Sequence, residues 1–351
     1  MNSGKRSERQ AGIDMSVELV EDKALWDRFV DDSPNSMLFH KWAFLELQEK
    51  YTGDKLLPYG VFDGNDLTCI LPVFSSRQNG LRLLYSPPRS SLVYIPYLGP
   101  ATSAGIARLQ PHDRESAWRS IIGEICAEFG RLSPNYVALG LSPGFLDVRP
   151  FERTGYEADL MYTYIIDLDR PVQAIWDSLE RDTRKCIKEA SKHSLSIVQS
   201  TDTATFAREM AQGLKNQGTT FFHRQRPEYL TEILDTFPDN VRMYFLYDGE
   251  DLIGANVLCC FHGHCIGWMG NTAVRGSFSA NEYLLWEQMQ RVKREGCRTF
   301  ENTGADEKRL NLSKTKFNPA LVPWFYIYRR DPLYRTAKYG LTTLEKIKRH
   351  A

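Results

Sequence analysis

The sequence predicts an α+β chain built as two tandem units of one fold, each a mixed, mostly antiparallel sheet flanked by helices, and three observations carry that reading. The first is a repeated hairpin signature. YGVFDGNDLTCILPV (59–73) and YFLYDGEDLIGANVL (244–258) each run from an apolar strand through an Asp-Gly turn, with an acid two residues on, into a second apolar strand. The second is the run of elements after each hairpin: the segments IPYLGPATSA (95–104) and GWMGNTAVRG (267–276), a helix around ESAWRSIIGEICAEFG or ANEYLLWEQMQRVKREG, and a closing strand, PNYVALGLS or CRTFENTG. The third is length, since 351 residues suit two domains at roughly 100 to 200 residues each.

In chain order, residues 1–14 (MNSGKRSERQAGID) lack the apolar core of a signal peptide and are expected to be disordered. The first unit takes 15–160, with an early helix start at SMLFHKWAFLEL (36–47). The Pro, Gly and charges of VRPFERTGYEADLMYTYIIDLD mark the boundary, and the second unit takes 161–330. Behind Pro171, WDSLERDTRKCIKEASKH (176–193) reads as one helix with Trp176, Leu179, Cys186, Ile187 and Ala190 on one face. Its opposite face gathers Arg181, Arg184, Lys185, Lys188 and Lys192, either as a solvated surface or as a contact to a phosphate-bearing substrate.

A helix over ATFAREMAQGLKNQG comes next, and Pro227 opens another in FFHRQRPEYLTEILDTF. Arg224, Arg226 and Tyr229 fall at its entrance, where guanidinium groups suit bidentate capture of an anion. In SANEYLLWEQ, Ser279 and Glu282 form a capping box, which gives Glu282 a structural role. FENTGADEKRLNLSKTKFNPALVPW (300–324) reads as a strand, a loop holding Lys308, Arg309, Lys314 and Lys316 beside Asp306 and Glu307, and a returning strand. Residues 331–351 form a basic helical tail. With the residues just before it, this end carries Arg329, Arg330, Arg335, Lys338, Lys346, Lys348 and Arg349 against Asp331 and Glu345. Such a tail suits phosphate contact without base reading, or peripheral contact with an anionic membrane.

Lys+Arg and Asp+Glu both total 44, so net charge favours neither nucleic acid nor membrane. No apolar run approaches the roughly 18 residues of a membrane span, and a cytoplasmic protein is expected. Seven cysteines in a chain of this length argue for reduced thiols rather than a disulfide framework. CCFHGHC (259–265) has no second Cys pair to complete a tetrahedral site, so no metal is expected there and the segment reads as a hairpin end with buried thiols.

The ordered set of elements resembles the GNAT acyltransferase core, and within it the Fem-type branch of peptide-bridge aminoacyltransferases and related acetyltransferase-like proteins. The likeness lies in TYIIDLDRPVQAIWDSLERDTRKCIKEASKHSLSIV (163–198), similar to the family's strand followed by a basic helix, in SKTKFNPALVPW near the C-terminus, and in SMLFHKWAFLEL. Lys314 takes the place of the C-terminal motif's lysine and Phe317 that of its second aromatic, while Ser313 and Asn318 depart from its first aromatic and its glycine. No sustained heptad separates the elements of the second half, so the family's coiled-coil arm is not expected. The resemblance implies that Arg224, Arg226 and Tyr229 bind the acceptor and that Lys41 contacts its phosphate.

It also implies transfer of an aminoacyl or acyl group to an amine on a phosphate-bearing acceptor, such as a cell-wall precursor or a lipid-linked one. Such chemistry needs positive or hydrogen-bonding groups where the carbonyl oxygen becomes anionic. Lys314 is the candidate for that role, with Lys308, Arg309 and Lys316 as phosphate contacts. Glu301 and Asp306 are candidate bases, and Cys297 lacks a His/Asp set at an interpretable spacing. No tightly bound cofactor is expected, and two donors compete. VRGSFSA (274–280) lacks the glycine pair of a pyrophosphate-cradling loop, which counts against acyl-CoA. Aminoacyl-tRNA is the donor the resemblance implies, an acyl-CoA N-acetyltransferase is the alternative, and a non-catalytic degenerate GNAT binding module is a third reading.

Overall fold

A computed structural model describes residues 15–90, 94–216, 226–272, 274–275, 278–306 and 308–337. The chain opens with β1 (Met15–Leu19), α1 (Lys23–Asp32), α2 (Trp42–Thr52) and the first hairpin, β2 (Lys55–Asp63) and β3 (Asp66–Gln78). It goes on through β4 (Leu81–Ser86), β5 (Ala101–Thr102), α3 (Ala104–Arg108), α4 (Pro111–Leu132), β6 (Tyr136–Gly140), α5 (Arg149–Arg153) and β7 (Glu157–Asp167). Then come α6 (Val172–Ser178), α7 (Arg181–Ala190), β8 (Leu195–Ser200), α8 (Thr203–Asn216) and α9 (Pro227–Thr236). The second hairpin is β9 (Val241–Asp248) and β10 (Asp251–Phe261). After it run β11 (His264–Thr272), the short pair β12 (Val274–Arg275) and β13 (Phe278–Ser279), α10 (Ala280–Arg294), β14 (Thr299–Asn302), α11 (Lys308–Lys314) and β15 (Ala320–Arg330).

The two Asp-Gly turns make the hairpins the sequence predicts, because Gly64 and Gly249 both take φ +59° without steric cost. Each hairpin carries a register shift at the same place, leaving Thr68 and Ile253, 185 positions apart, as the extra residue of a bulge. Both halves then send a strand parallel to one that returns after a long helix, β4 beside β6 and β11 beside β14. Every other pairing in the main sheet is antiparallel.

The expected mixed, mostly antiparallel α+β architecture is found, but the strands join into one sheet of 13, ordered β1-β2-β3-β4-β6-β15-β7-β14-β11-β10-β9-β8 with β5 on β3. The expected boundary at 160–161 falls inside β7, which pairs with β15 along one edge and with β14 along the other. On one face, α4 presents Trp118, Ile121, Ile122, Ile125 and Phe129, spaced to line one helical side, to Val61, Leu71, Val73, Leu84 and Val137. In the second half α10 packs Leu285, Met289 and Val292 against Leu258, Cys265 and Phe300. A third cluster belongs to both halves: Trp26, Phe39 and Phe44 pack with Tyr229, Ile233 and Trp268.

Two local expectations are corrected. The helix expected over 176–193 is broken at Leu179 and Glu180, both extended, because Leu179 is drawn into the core and the Glu180 N–H donates to the Lys316 carbonyl (3.0 Å). The cations expected in a loop at 308–316 sit instead on α11 and the 3-10 turn Thr315–Phe317 that continues it. The stretches 1–14 and 338–351, the latter most of the basic tail, lie outside the described residues.

Candidate functional site

Parallel neighbours that diverge stop satisfying each other's backbone groups, and the parting offers those N–H and C=O groups to a third party. β11 and β14 pair from His264–Thr299 to Gly267–Asn302 and no further. Immediately after Gly267, Trp268 is the extra residue of a bulge, since β10 pairs Leu258 with Gly267 and Val257 with Met269. Bulges of this kind re-aim side chains and backbone beside functional sites. The Trp268 indole N–H donates to the Tyr94 carbonyl (2.9 Å), tying the parting to a segment from the first half.

Beneath the parting lies Glu301, wholly buried on β14. Its Oε1 accepts from the Tyr97 hydroxyl and from Thr163 Oγ1 (2.7 Å) on β7, and its Oε2 lies 3.0 Å from His264 Nε2. His264 Nδ1 in turn contacts Thr299 Oγ1 at 2.7 Å. Alternation along β14 puts Thr299 and Glu301 on one face, and the parallel register brings His264 beside them. Burial and the neighbouring Glu301 push the Tyr97 phenol well above its ordinary range, so it stays a donor. Burial likewise raises Tyr94 to about 12, against a hydrogen bond with Thr303. Tyr97 also packs edge-on against Trp324 of β15 (4.9 Å between ring centres).

At the open end of β14, the Lys314 ammonium donates to the Thr303 carbonyl, and Thr303 Oγ1 reaches the Gly267 carbonyl at 3.5 Å. Lys314, the last residue of α11, therefore stands where the two strands separate. The predicted Lys314 thus reaches the end of the strand that carries the predicted Glu301. Other predicted residues go elsewhere. Asp306 accepts from the Tyr162 backbone N–H with both oxygens (3.2 Å), which pins the loop after β14. Lys316 lies 3.8 Å from the buried Glu282, and Phe317 is a core residue. The side chain of Arg309 and the whole of Arg224 lie outside the described residues.

Arg226 precedes α9 and lines a surface hollow of about 680 Å³ with Lys50, Tyr51, Pro227, Glu228 and Glu232. Lys50 and Tyr51 both hold Glu232 there (2.6 and 2.7 Å). Tyr229, expected beside Arg226 at a ligand, is 1% exposed and its hydroxyl is taken by Gln48 (3.0 Å). Lys41 is paired with Asp31 at 2.7 Å. Sequence reasoning missed Tyr97, Thr163 and His264. His264 was visible inside CCFHGHC, but its partner Glu301 lies 37 positions away and only the β11/β14 register joins them.

The first half treats its own parallel pair differently. β4 and β6 pair from Leu83–Tyr136 to Ser86–Leu139, and beyond that point the chain itself enters: Leu98 N–H donates to the Gly140 carbonyl (3.1 Å) and Gly99 N–H to Ser86 Oγ (3.0 Å).

The family described as "Acetyltransferase (GNAT) domain" matches residues 178–309, from the end of α6 through β14 into α11. Among solved structures, FemX superposes with a TM-score of 0.67 at 12% identity, over 92% of this chain and 99% of that one. A conserved protein of unknown function from Bacteroides thetaiotaomicron gives 0.58 at 8% identity, over 90% and 99%. L-PGS from Bacillus licheniformis gives 0.52 at 12%, over 92% and 96%. At these identities the shared property is the fold. No curated protein matches the chain in sequence. Residues 178–309 are therefore similar to a GNAT acetyltransferase domain, and the chain has the fold of FemX.

Proposed function

We propose that this GNAT-type chain is an acyltransferase that moves an aminoacyl or acyl group from an activated donor to an amine on a phosphate-bearing acceptor, with the reaction at the parting of β11 and β14. The observation that carries the proposal is the conjunction at Gly267 and Asn302: parallel strands separate beside a bulge, with the Lys314 ammonium held at Thr303. A donor carbonyl lying there meets the Lys314 cation, which stabilises the oxyanion formed when the amine attacks. Glu301 is wholly buried. Its role is to position Tyr97, Thr163 and His264, and the proton lost by the amine leaves to solvent or to a substrate group.

Aminoacyl-tRNA is the donor favoured here. The glycine pair of a pyrophosphate cradle is missing from VRGSFSA. Moreover, the first turn of α10 holds the buried carboxylate of Glu282, which occupies with negative charge the helix end that would otherwise attract a diphosphate. Arg226, at the 680 Å³ hollow, is the contact for the acceptor's phosphate. The second reading, an acyl-CoA-dependent N-acetyltransferase, is favoured by the match of residues 178–309 to an acetyltransferase domain.

Equilibrium binding to acetyl-CoA and to mixed aminoacyl-tRNA, each at low and high salt, separates the two. Salt-sensitive tRNA binding without CoA binding supports the first reading, and saturable CoA binding moves the protein to the second. If neither donor binds and Lys314→Ala changes nothing, the chain is a binding module and the acyltransferase reading fails.

A further inference from the structure

Three thiols from three separate stretches meet on the α10 side of the sheet. Cys260 on β10 and Cys265 on β11 are direct cross-strand partners, so their side chains leave the same face, and their sulfurs lie 2.8 Å apart. Cys297, in the turn from α10 into β14, is hydrogen-bonded to both. Cys259, next in sequence, faces the other way into the core shared by the two halves. None of the three thiols is used by the acyl-transfer site, and all seven cysteines of the chain are unbridged.

The geometry discriminates between the two things such a cluster can do. A metal bound by both sulfurs at about 2.3 Å in a tetrahedral site would set them about 3.8 Å apart, well beyond the 2.8 Å observed. Among the described residues no group of His, Cys, Asp and Glu has a metal-holding arrangement. Directly opposed residues of an antiparallel pair have Cα atoms about 4.5–5.5 Å apart, which falls inside the roughly 4.4–6.8 Å that a disulfide spans. A Cys260–Cys265 bond therefore needs little backbone movement. Cys297 supplies the reactive partner: the two neighbouring thiols donating to its sulfur, with Arg242 and His264 adding positive field, pull its pKa below the ordinary thiol range and favour the thiolate. Burial holds Cys265 high, as thiol. Cys260 is part-exposed while Cys265 and Cys297 are buried, so the cluster opens to solvent at Cys260.

We propose that Cys260, Cys265 and Cys297 form an oxidation site at which a hydroperoxide links Cys260 to Cys265 as a disulfide, with Cys297 taking the first oxygen. The Cys297 thiolate attacks the peroxide, giving a sulfenic acid and, with one proton, an alcohol or water. Cys260 then displaces water from that sulfenic acid, forming a Cys260–Cys297 disulfide, and Cys265, giving up its proton to the leaving Cys297 sulfur, attacks it at Cys260 and returns Cys297 as thiol. The net change is two thiols oxidised and one peroxide reduced, with one water and one alcohol (or a second water) released. The site abuts the buried carboxylate network: His264 adjoins Cys265, and Thr299 lies two residues from Cys297.

The test treats the folded protein with hydrogen peroxide, denatures it, alkylates free thiols and maps the peptides. Expected are the loss of two hydrogens in the intact mass, a peptide joining Cys260 to Cys265, and full recovery of alkylation after dithiothreitol. In Cys297→Ser, checked for an unchanged thermal melt, the same bond forms about tenfold more slowly or less. Seven alkylatable thiols after a dose that oxidises free glutathione would overturn the proposal. So would a stoichiometric zinc ion that shields the cluster, or oxidation confined to unlinked sulfinic acid. A Cys297→Ser protein oxidised at the wild-type rate removes Cys297 from the mechanism, and the wild-type peptide map decides the bond even if that variant fails to fold.

Discussion

The two parallel pairs, β4/β6 and β11/β14, start alike and end differently. In the first half the Gly140 carbonyl beyond the pairing accepts from the chain's own Leu98 N–H, and the Ser86 hydroxyl accepts from the Gly99 N–H. Gly99 is there because nothing larger fits: it has φ +59°, and a Cβ would meet the Gly140 carbonyl at 3.0 Å and the Leu141 Cα at 3.2 Å. His40 clamps this insert. Its Nδ1 accepts from the Met37 N–H (3.1 Å), so Nε2 carries the proton and donates to the Gly99 carbonyl (3.2 Å). In the second half the corresponding place holds a bulge, a lysine and a buried carboxylate network. The same piece of chain serves both, since Leu98 and Gly99 fill the first parting while Tyr94 and Tyr97 wall the second. The first parting is filled by the chain itself, and the second is where the proposed chemistry is placed.

Four substitutions or conditions put this contrast to the test. The largest effect is expected at the second parting: Lys314→Ala lowers kcat by about 10²- to 10³-fold, as loss of an oxyanion donor does, with the thermal melt unchanged. Unchanged turnover in a steady-state assay with the donor that binds would remove the assignment of chemistry to this half.

Next comes acid. Burial lowers the His40 pKa from 6.5 to about 4, so between those values the unfolded chain binds more protons than the folded one. Stability is full above pH 6.5 and falls as pH drops towards 4, by about 3 kcal/mol in total for this group. Denaturant melts at pH 7 and pH 4.5 measure it, and His40→Gln should flatten that part of the difference. Smaller is Gly99→Ala, expected to cost about 1–3 kcal/mol through the left-handed backbone and the close carbonyl; a neutral melt would mean that the insert is not tightly held. The smallest effect is expected for Arg226→Ala, which raises the acceptor KM about tenfold and leaves kcat and stability alone.

Local chemistry was legible in the sequence where it decides local structure. The Asp-Gly turns and Pro227 at the start of α9 announced their elements, and the resemblance pointed to Lys314. Whatever depends on partners distant in the chain was not legible. The break at Leu179–Glu180 is set by the Lys316 carbonyl, more than a hundred positions away. The helical state of 308–314 was hidden by its three cations, which with Lys316 read as a loop. Glu301 was chosen for its place at a strand end, but its burial comes from Tyr97 and Thr163, on two other segments that no spacing rule connects to it.

The position of β15 has a consequence for how the protein is made. The strand over 320–330 is the last of the sheet to leave the ribosome, yet its place is between β6 and β7, antiparallel to both. Until it is synthesised, β6 and β7 each present an unsatisfied edge, the kind of surface that recruits strands from other chains. Neither half can close its sheet during translation, and both wait for the same closing piece.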